Sequence, residues 1–486
     1  MSAASARACV GHALPTPPGL YRPRHPERTV LHAVVREHLE TWLALKREGE
    51  PDAPGVPAFV ERDFRKYVTC GVLAHGFGRA RCPACGHDFL VAFSCRARAV
   101  CPTCNARRMV ETAAHLVDHV FPRAPVRQWV LAVPKRLRYF LARDPQRAGA
   151  VLRIFLRVIE ESLRQVSPGA GGGARLGAVS FVHRFGASLN AQLHSHCCVI
   201  DGVFAPDAEG RVQFYEASGL GAAEQARVEA KVRTRVLRWM ARQGLLEPEE
   251  AKAMQAWEHG GFSVDARVRV EASDRAGLER LLRYCARGPL ALERLERDPD
   301  EPERLFYHLP KPTADGRVAL TLTPLELLSR LAALIPPPRV HRHRDAGVLA
   351  PNSPWRAAVT AWAEAGAEPE RVAPPSPPAQ PLDASATPVH RRPARYLWAM
   401  LLARIYEAFP LACPVCRAEM RLIAFVTDSA SISRILEHLG EPTRPPPVSP
   451  ARGPPGWEEM LDQTPVYDPV APVPEPDYEF DQRVTW

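Results

Sequence analysis

AVSFVHRFGASLNAQLHSHCCVIDGVF, residues 178–204, reads as strands carrying three histidines. Successive side chains of a strand alternate faces, so His194 and His196, two apart, point the same way. Val199, Ile200, Val203 and Phe204 favour strand, and Asp201-Gly202 reads as a turn. The two imidazoles therefore project side by side from one sheet face, a ready pair of ligands for a divalent metal. His183 lies in a second strand, Val179 to Phe185, and 186–190 reads as the turn between them. Antiparallel pairing would bring His183 near His194 and His196. The competing reading is a polar, solvated strand face, and these residues alone do not choose between the two.

The rest of the chain narrows the choice. At 486 residues it is too long for one ordinary domain. Its 63 Lys and Arg against 54 Asp and Glu give a net charge of +9, which favours a polyanionic partner, nucleic acid first, over a generic basic protein. Six of the 12 cysteines form three Cys-x-x-Cys pairs, a metal-ligand spacing rather than a disulfide framework, which fits a reducing, cytoplasmic setting. The N-terminus shows no apolar signal region, and no run approaches the ~18 apolar residues of a membrane span. The 50 prolines cluster in 368–393 and after 441, which read as linker and tail.

Thr29 to Arg47 has apolar residues at helical spacing and forms, with its surroundings, an N-terminal helical segment, 1–60. Residues 61–112 read as a zinc ribbon. Cys82-x-x-Cys85 and Cys101-x-x-Cys104, fifteen residues apart, offer four thiolates for one closed, structural tetrahedral zinc site. Cys70 and Cys95 are extra; either replaces a ligand, joins a second site with His75 or His87, or fills core. Arg96, Arg98, Arg107 and Arg108 flank the module and suit phosphate contacts.

Residues 113–345 read as the catalytic region. Val126 to Val133 is a strand followed by the basic cluster Lys135, Arg136 and Arg138. Residues 146–166 and 222–244 are helical, and the glycine-rich 168–173 lacks the Lys-Ser/Thr of a nucleotide loop. A strand over 261–271 leads to a helix capped by Ser273-Asp274 that carries Arg283, Tyr284 and Arg287. This order suits an α+β fold, an antiparallel sheet with helices on one face. Residues 339–344 form a basic loop in which Arg342 and Arg344 suit a DNA backbone. Residues 346–440 are an accessory region with a helix at 395–410 and a half zinc site, Cys413 and Cys416, whose partners are His390, His438, another chain or none. Residues 441–486 read as a disordered Pro-rich tail.

RFGASLN at 184–190, HSH at 194–196, DGVF at 201–204 and LLRYCARGPLALERLE at 281–296 stand in an order that resembles the HUH-class rolling-circle insertion-sequence transposases, the IS91 type and its common-region branch. The resemblance runs from the first cysteine pairs to about residue 430, with Ser195 standing where the family usually has a hydrophobe. It implies a ferredoxin-like HUH nuclease core with Mg2+ or Mn2+ on His194, His196 and His183, Asp201 or Glu216 being alternatives for the third ligand. It implies Tyr284 as nucleophile, aided by Arg283 and Arg287, with Tyr307 in reserve and Gly288 where some members carry a second tyrosine. The implied activity is nicking of single-stranded DNA at element ends through a 5′-phosphotyrosine, with the zinc module recognising the end sequence. A bacterial, nucleoid-associated location follows, without a membrane and without a particular oligomeric state. The alternatives are a replication initiator or relaxase, a tyrosine recombinase suggested by HRHR at 341–344, and a non-catalytic zinc-dependent DNA-binding regulator.

Overall fold

The computed structural model describes residues 24–48, 55–257, 261–313, 315–364, 413, 415–416, 418 and 420–452. In chain order the elements are α1 (Val30–Glu48), α2 (Ala58–Val68), β1 (Phe77–Arg81), β2 (Asp88–Ala92), α3 (Pro102–His119), β3 (Val126–Ala132), α4 (Lys135–Arg143), α5 (Pro145–Val166), β4 (Gly177–Phe185), β5 (Ala191–Ile200), β6 (Gly202–Pro206) and β7 (Val212–Glu216). They continue with α6 (Ala222–Arg242), α7 (Pro248–Ala256), β8 (Ser263–Asp265), β9 (Arg269–Val270), α8 (Arg275–Ala286), β10 (Leu295–Arg297), β11 (Leu305–His308), β12 (Ala319–Leu322), α9 (Pro324–Leu334), β13 (His343–Gly347), α10 (Arg356–Glu364), β14 (Arg421–Val426) and α11 (Ser429–Leu439). The helix expected at 395–410 and the tail from 453 onward lie outside the described residues.

The chain divides into two compact units, and both are discontinuous. The larger holds 27–69, 95–377 and 446–486; the smaller holds 1–26, 70–94 and 378–445. The linear division at 61–112 and 346–440 therefore differs from the grouping by contacts. The stretch 446–452, expected to be tail, includes Ser449, whose N–H donates to Arg36 O, and Arg452, whose N–H donates to Thr41 Oγ1.

The larger unit is built on a six-stranded antiparallel sheet in the order β13-β4-β5-β3-β8, with β9 also on β3. Central β5 is buried on both faces, and its alternation assigns each residue a side. Leu193, Cys197 and Val199 join Trp129 and Leu131 of β3 under α5 and α6. Cys198 and Ile200 join Val126, Val179 and Phe181 under α3, α8 and α10. Helices thus cover both faces, not the one face the element order suggested. The reason lies in β3 and β5, where apolar residues occupy both alternations and both must leave water.

The helices begin where the sequence provides caps. Asp144 accepts from Gln146 N at 2.7 Å to start α5, and Pro145 follows at the first helical position. The α5 stripe Val151, Leu152, Phe155, Val158, Ile159 and Leu163 is buried on the sheet. Asp274 caps α8 through Gly277 N at 2.7 Å. Arg275 then ties the start of α8 to the end of α3 by donating to Phe121 O at 3.1 Å and Pro122 O at 3.2 Å. Lys135, Arg136 and Arg138, expected beside a strand end, lie on α4, because Pro134 starts a helix there.

Asp201, in the turn after β5, is 1 % exposed. It accepts two bonds from Arg127, each 2.9 Å, and one from Arg269 at 2.7 Å. Removing the carboxylate's charge would leave two half-buried guanidinium groups short of a partner. Asp201→Asn is expected to cost on the order of 3 kcal/mol of stability in a urea titration.

Candidate metal and nucleophile site

Register places the histidines. His183 of β4 stands opposite His194 of β5, and Phe181 and Val130 flank His196 on either side. The three rings share one face, with centroids 5.1 Å apart for His183–His194, 4.5 Å for His183–His196 and 4.9 Å for His194–His196. One ring nitrogen from each lies within 4.8 Å of the others, a spacing that a single ion could bridge. Ser195, at the intervening position, belongs to the opposite alternation and does not intrude.

Hydrogen bonds fix which nitrogen of each ring is used. His183 Nε2 donates to Cys285 O at 2.6 Å, which leaves its buried Nδ1 without a hydrogen-bond partner. His196 Nε2 is likewise buried and unpartnered. His196 Nδ1 lies 3.0 Å from the Gln128 side-chain amide. An amide turned by half a rotation presents its oxygen to an Nδ1–H, which frees the Nε2 lone pair. His194 Nδ1 is 3.3 Å from Gln192 O. Burial, with neighbouring histidines and Arg287 adding to it, holds His183 and His196 well below the ordinary histidine range. Burial takes His194 down to about 4. Three neutral imidazoles with lone pairs converging fit a divalent cation.

Tyr284 lies at the end of α8, which covers this face. Its ring meets His196 edge-on at 5.5 Å. The Arg287 guanidinium sits 4.8 Å from the Tyr284 ring and 5.6 Å from Phe185. Burial raises the Tyr284 phenol, and Arg287 opposes that shift by charge and by a hydrogen bond. Arg283, expected to help, instead pairs with Glu279 at 2.7 Å. A cavity of about 250 Å³ opens beside the site, lined by Arg98, Arg108, His183, Arg287, His341 and Arg342 among others. A larger surface cavity of about 400 Å³, between Trp42 and Leu325, holds no histidine or cysteine.

Several expected residues have other partners. Asp201 and Glu216, the alternatives to His183, are held by Arg269 and do not group with His194 and His196, whereas His183 does. Tyr307, the reserve nucleophile, is 2 % exposed in the separate sheet β10-β11-β12, and its hydroxyl accepts from Ala291 N. Of the basic residues, Arg136 pairs with Glu250 and Arg107 with Glu111. Arg138 donates to Val133 O, and Arg98 donates to Pro337 O and Val340 O. Arg108 reaches Arg96 O, and Arg96 itself has a left-handed φ of 54°. Arg344 packs against Gly149, and Lys135 is exposed on α4. Arg342 donates to Arg98 O, Arg287 O and Asn105 Oδ1, and burial beside Arg108 and Arg98 lowers it to about 10.

The cysteines regroup. Cys82, Cys85, Cys101 and Cys104 do not form one set. Cys82 and Cys85 group with Cys413 and Cys416 in the smaller unit, while Cys101 and Cys104 group with Cys95 in the larger. Cys101 Sγ caps α3 by accepting from Cys104 N at 3.4 Å, and Cys95 and Cys104 Sγ are 3.4 Å apart. Pair spacing alone cannot tell which pairs close together. Gln128 and Cys285 were not singled out from sequence as parts of a site, whereas Cys95 was offered as a replacement ligand, part of a second site or core. Gln128 had a signal, being the one uncharged polar residue within the apolar strand VRQWVLA.

Residues 177–356 match a family of transposases, the Y2 type, and residues 35–133 match the zinc-binding domain of IS91 transposases. No curated protein and no solved structure matches the chain. Among the described residues, no helix is long and apolar enough to cross a membrane.

Gln128 orients His196 without itself being grouped as a ligand. Gln128→Leu is expected to weaken Mn2+ binding by about 10–100-fold in calorimetric titration, with the thermal transition of the metal-free chain nearly unchanged.

Proposed function

Because the chain belongs to the IS91-type transposases, and so acts on DNA, we propose that it opens one DNA strand at an element end by direct attack of Tyr284. The observation that carries this reading is the convergence of His183, His194 and His196, two of them with unpartnered ring nitrogens, under the ring of Tyr284. The antiparallel sheet with its central histidine strand fits the ferredoxin-like core of HUH nucleases, although its helices cover both faces.

In this reading, the Tyr284 oxygen forms a bond to phosphorus, and the bond from phosphorus to the 3′ oxygen breaks. The phenol loses a proton and the departing 3′ oxygen gains one. A 5′-phosphotyrosine and a free 3′-hydroxyl result, so the phosphodiester's energy is kept for rejoining. Mg2+ or Mn2+ on the three histidines would supply Lewis-acid charge at a phosphate oxygen. Arg287 stabilises the phenolate and lies on the cavity's wall, where it also suits a phosphate. Arg108 and Arg342 extend that positive wall, so a single strand is the substrate form that fits: an unpaired backbone can enter a 250 Å³ recess and a duplex cannot.

The cysteine groups support structural zinc rather than a catalytic role. Within the larger unit Cys95, Cys101 and Cys104 supply three thiolates.

The test is incubation with single-stranded oligonucleotides from both element ends and Mn2+. A covalent adduct should form, map to Tyr284 by mass spectrometry, and vanish with chelator or in Tyr284→Phe. His194→Ala/His196→Ala should lose it while keeping DNA binding. An adduct that survives Tyr284→Phe, or cleavage indifferent to chelator, overturns the reading.

A further inference from the structure

The smaller unit is assembled from two stretches far apart in the chain, and each brings a thiolate pair to the same place. β1 pairs with β2 on one side and with β14 on the other, both antiparallel. Arg81, the last residue of β1, faces Arg421, the first of β14. That register puts the Cys82/Cys85 pair and the Cys413/Cys416 pair at one end of one sheet.

The two pairs are built alike. Cys82 N donates to His87 O at 2.9 Å, and Cys413 N donates to Ala418 O at 2.9 Å, five residues on in both cases. Gly86, with φ +74°, lets the first turn fold back within reach of its own thiolates. The third Cys-Pro-x-Cys, Cys101 to Cys104, differs: it starts a helix. Cys82 Sγ lies 3.4 Å from Cys416 Sγ, Cys85 Sγ lies 3.5 Å from Cys413 Sγ, and all four fall within 4.8 Å. Zinc–sulfur distances of about 2.3 Å in a tetrahedron require sulfur–sulfur edges of about 3.8 Å, so the four atoms match that cage with little adjustment.

Charge and packing agree. Arg81 and Arg421 are like charges directly across a strand pair, and Asp88, 3.7 Å from Arg81 and also bound by Arg79, offsets only part of that charge. Four thiolates on one Zn2+ carry a net charge of −2, and the Arg81 guanidinium reaches to 3.7 Å from the Cβ position of Gly86, beside Cys85. The apolar contacts here are few: Ala80, Phe89 and Met420 with Cys82 and Cys413, and a second small group around Phe77, Val426 and Leu436. So small a core needs a metal or another cross-link to hold.

We infer that Cys82, Cys85, Cys413 and Cys416 bind a zinc ion that clasps the N-terminal hairpin to the C-terminal strand and helix, a site separate from that of Cys95, Cys101 and Cys104. The match to the transposase zinc-binding domain ends at residue 133 and so contains only half of this clasp. The catalytic segment 95–377 lies in the chain between the two halves, so a chain truncated before Cys413 cannot close it. The inference does not depend on Tyr284 or on the histidines.

The test begins with metal content of the purified full-length chain. Two zinc ions per chain are expected. Cys413→Ser/Cys416→Ser and Cys82→Ser/Cys85→Ser should each lose the same one ion, and Cys101→Ser/Cys104→Ser the other. Cobalt in place of zinc should show four-thiolate charge-transfer absorption that the Cys413→Ser/Cys416→Ser chain lacks at one of its two sites. Because substitutions can unfold a small unit, a chain with unaltered cysteines and a protease site placed after Pro377 gives a second readout. After cleavage the C-terminal fragment should co-elute with the rest and separate when chelator is added. Unchanged zinc content in Cys413→Ser/Cys416→Ser, or fragment retention indifferent to chelator, overturns the inference.

Discussion

Three neutral imidazoles share one dry sheet face with no carboxylate among them, and the rest of the larger unit is arranged to make that tolerable. An unsatisfied buried polar atom costs roughly 1–3 kcal/mol, and His183 and His196 each carry one. The face is covered by α8 and α3, whose Leu278, Leu282, Leu116 and Val117 pack over Val126, Val179, Phe181 and Ile200. A cation in the centre would satisfy the lone pairs that the fold leaves open. The same burial that makes the rings costly to protonate keeps them available as ligands.

Coupling between cover and floor is direct. Cys285 accepts from His183 through its carbonyl, and its sulfur lies 3.3 Å from the Gln128 side-chain amide and 3.8 Å from Cys198 Sγ. The residue before it is Tyr284. Orientation of the His183 and His196 rings and position of the Tyr284 phenol are therefore set by one helical turn, anchored at its far end by Asp274 and Arg275. This is why a tyrosine ninety residues from the histidines in sequence stands against His196 in space.

Much of this was legible in sequence. The i, i+2 pair, the hairpin that adds His183, the cap at Asp274 and the placement of Tyr284 on the following helix all depend on local periodicity and turn chemistry, and local signals are read well. What was not legible depends on pairing at long range. Three Cys-Pro-x-Cys turns look identical in isolation, and only the β1–β14 pairing, across more than three hundred residues, decides that Cys82 belongs with Cys416 rather than Cys101. The partners of the arginines were not legible for a related reason. A guanidinium has five donors, and whether Arg98 meets a phosphate or the carbonyls of Pro337 and Val340 is settled by where residues 337–342 return. Asp201 read as a possible ligand because a carboxylate near histidines is common, yet Arg127 and Arg269 converge on it from β3 and β9.

The position four residues after Tyr284 shows how packing bears on the proposed chemistry. Gly288 lies where some relatives by resemblance carry a second tyrosine. A Cβ there would come within 2.8 Å of Asn105, which cannot move freely: its Nδ2 donates to Ala99 O at 2.6 Å and its Oδ1 accepts from Arg342 at 3.1 Å. Arg342 in turn holds Arg98 O and Arg287 O, and Asp63 of α2 accepts from the N–H groups of residues 98–100. A side chain at 288 would thus push on the loop that orders Cys95, Cys101 and Cys104. The close seating of this segment against α3 thus leaves no room at 288 for a phenol, and Tyr284 has no second tyrosine one helical turn further on.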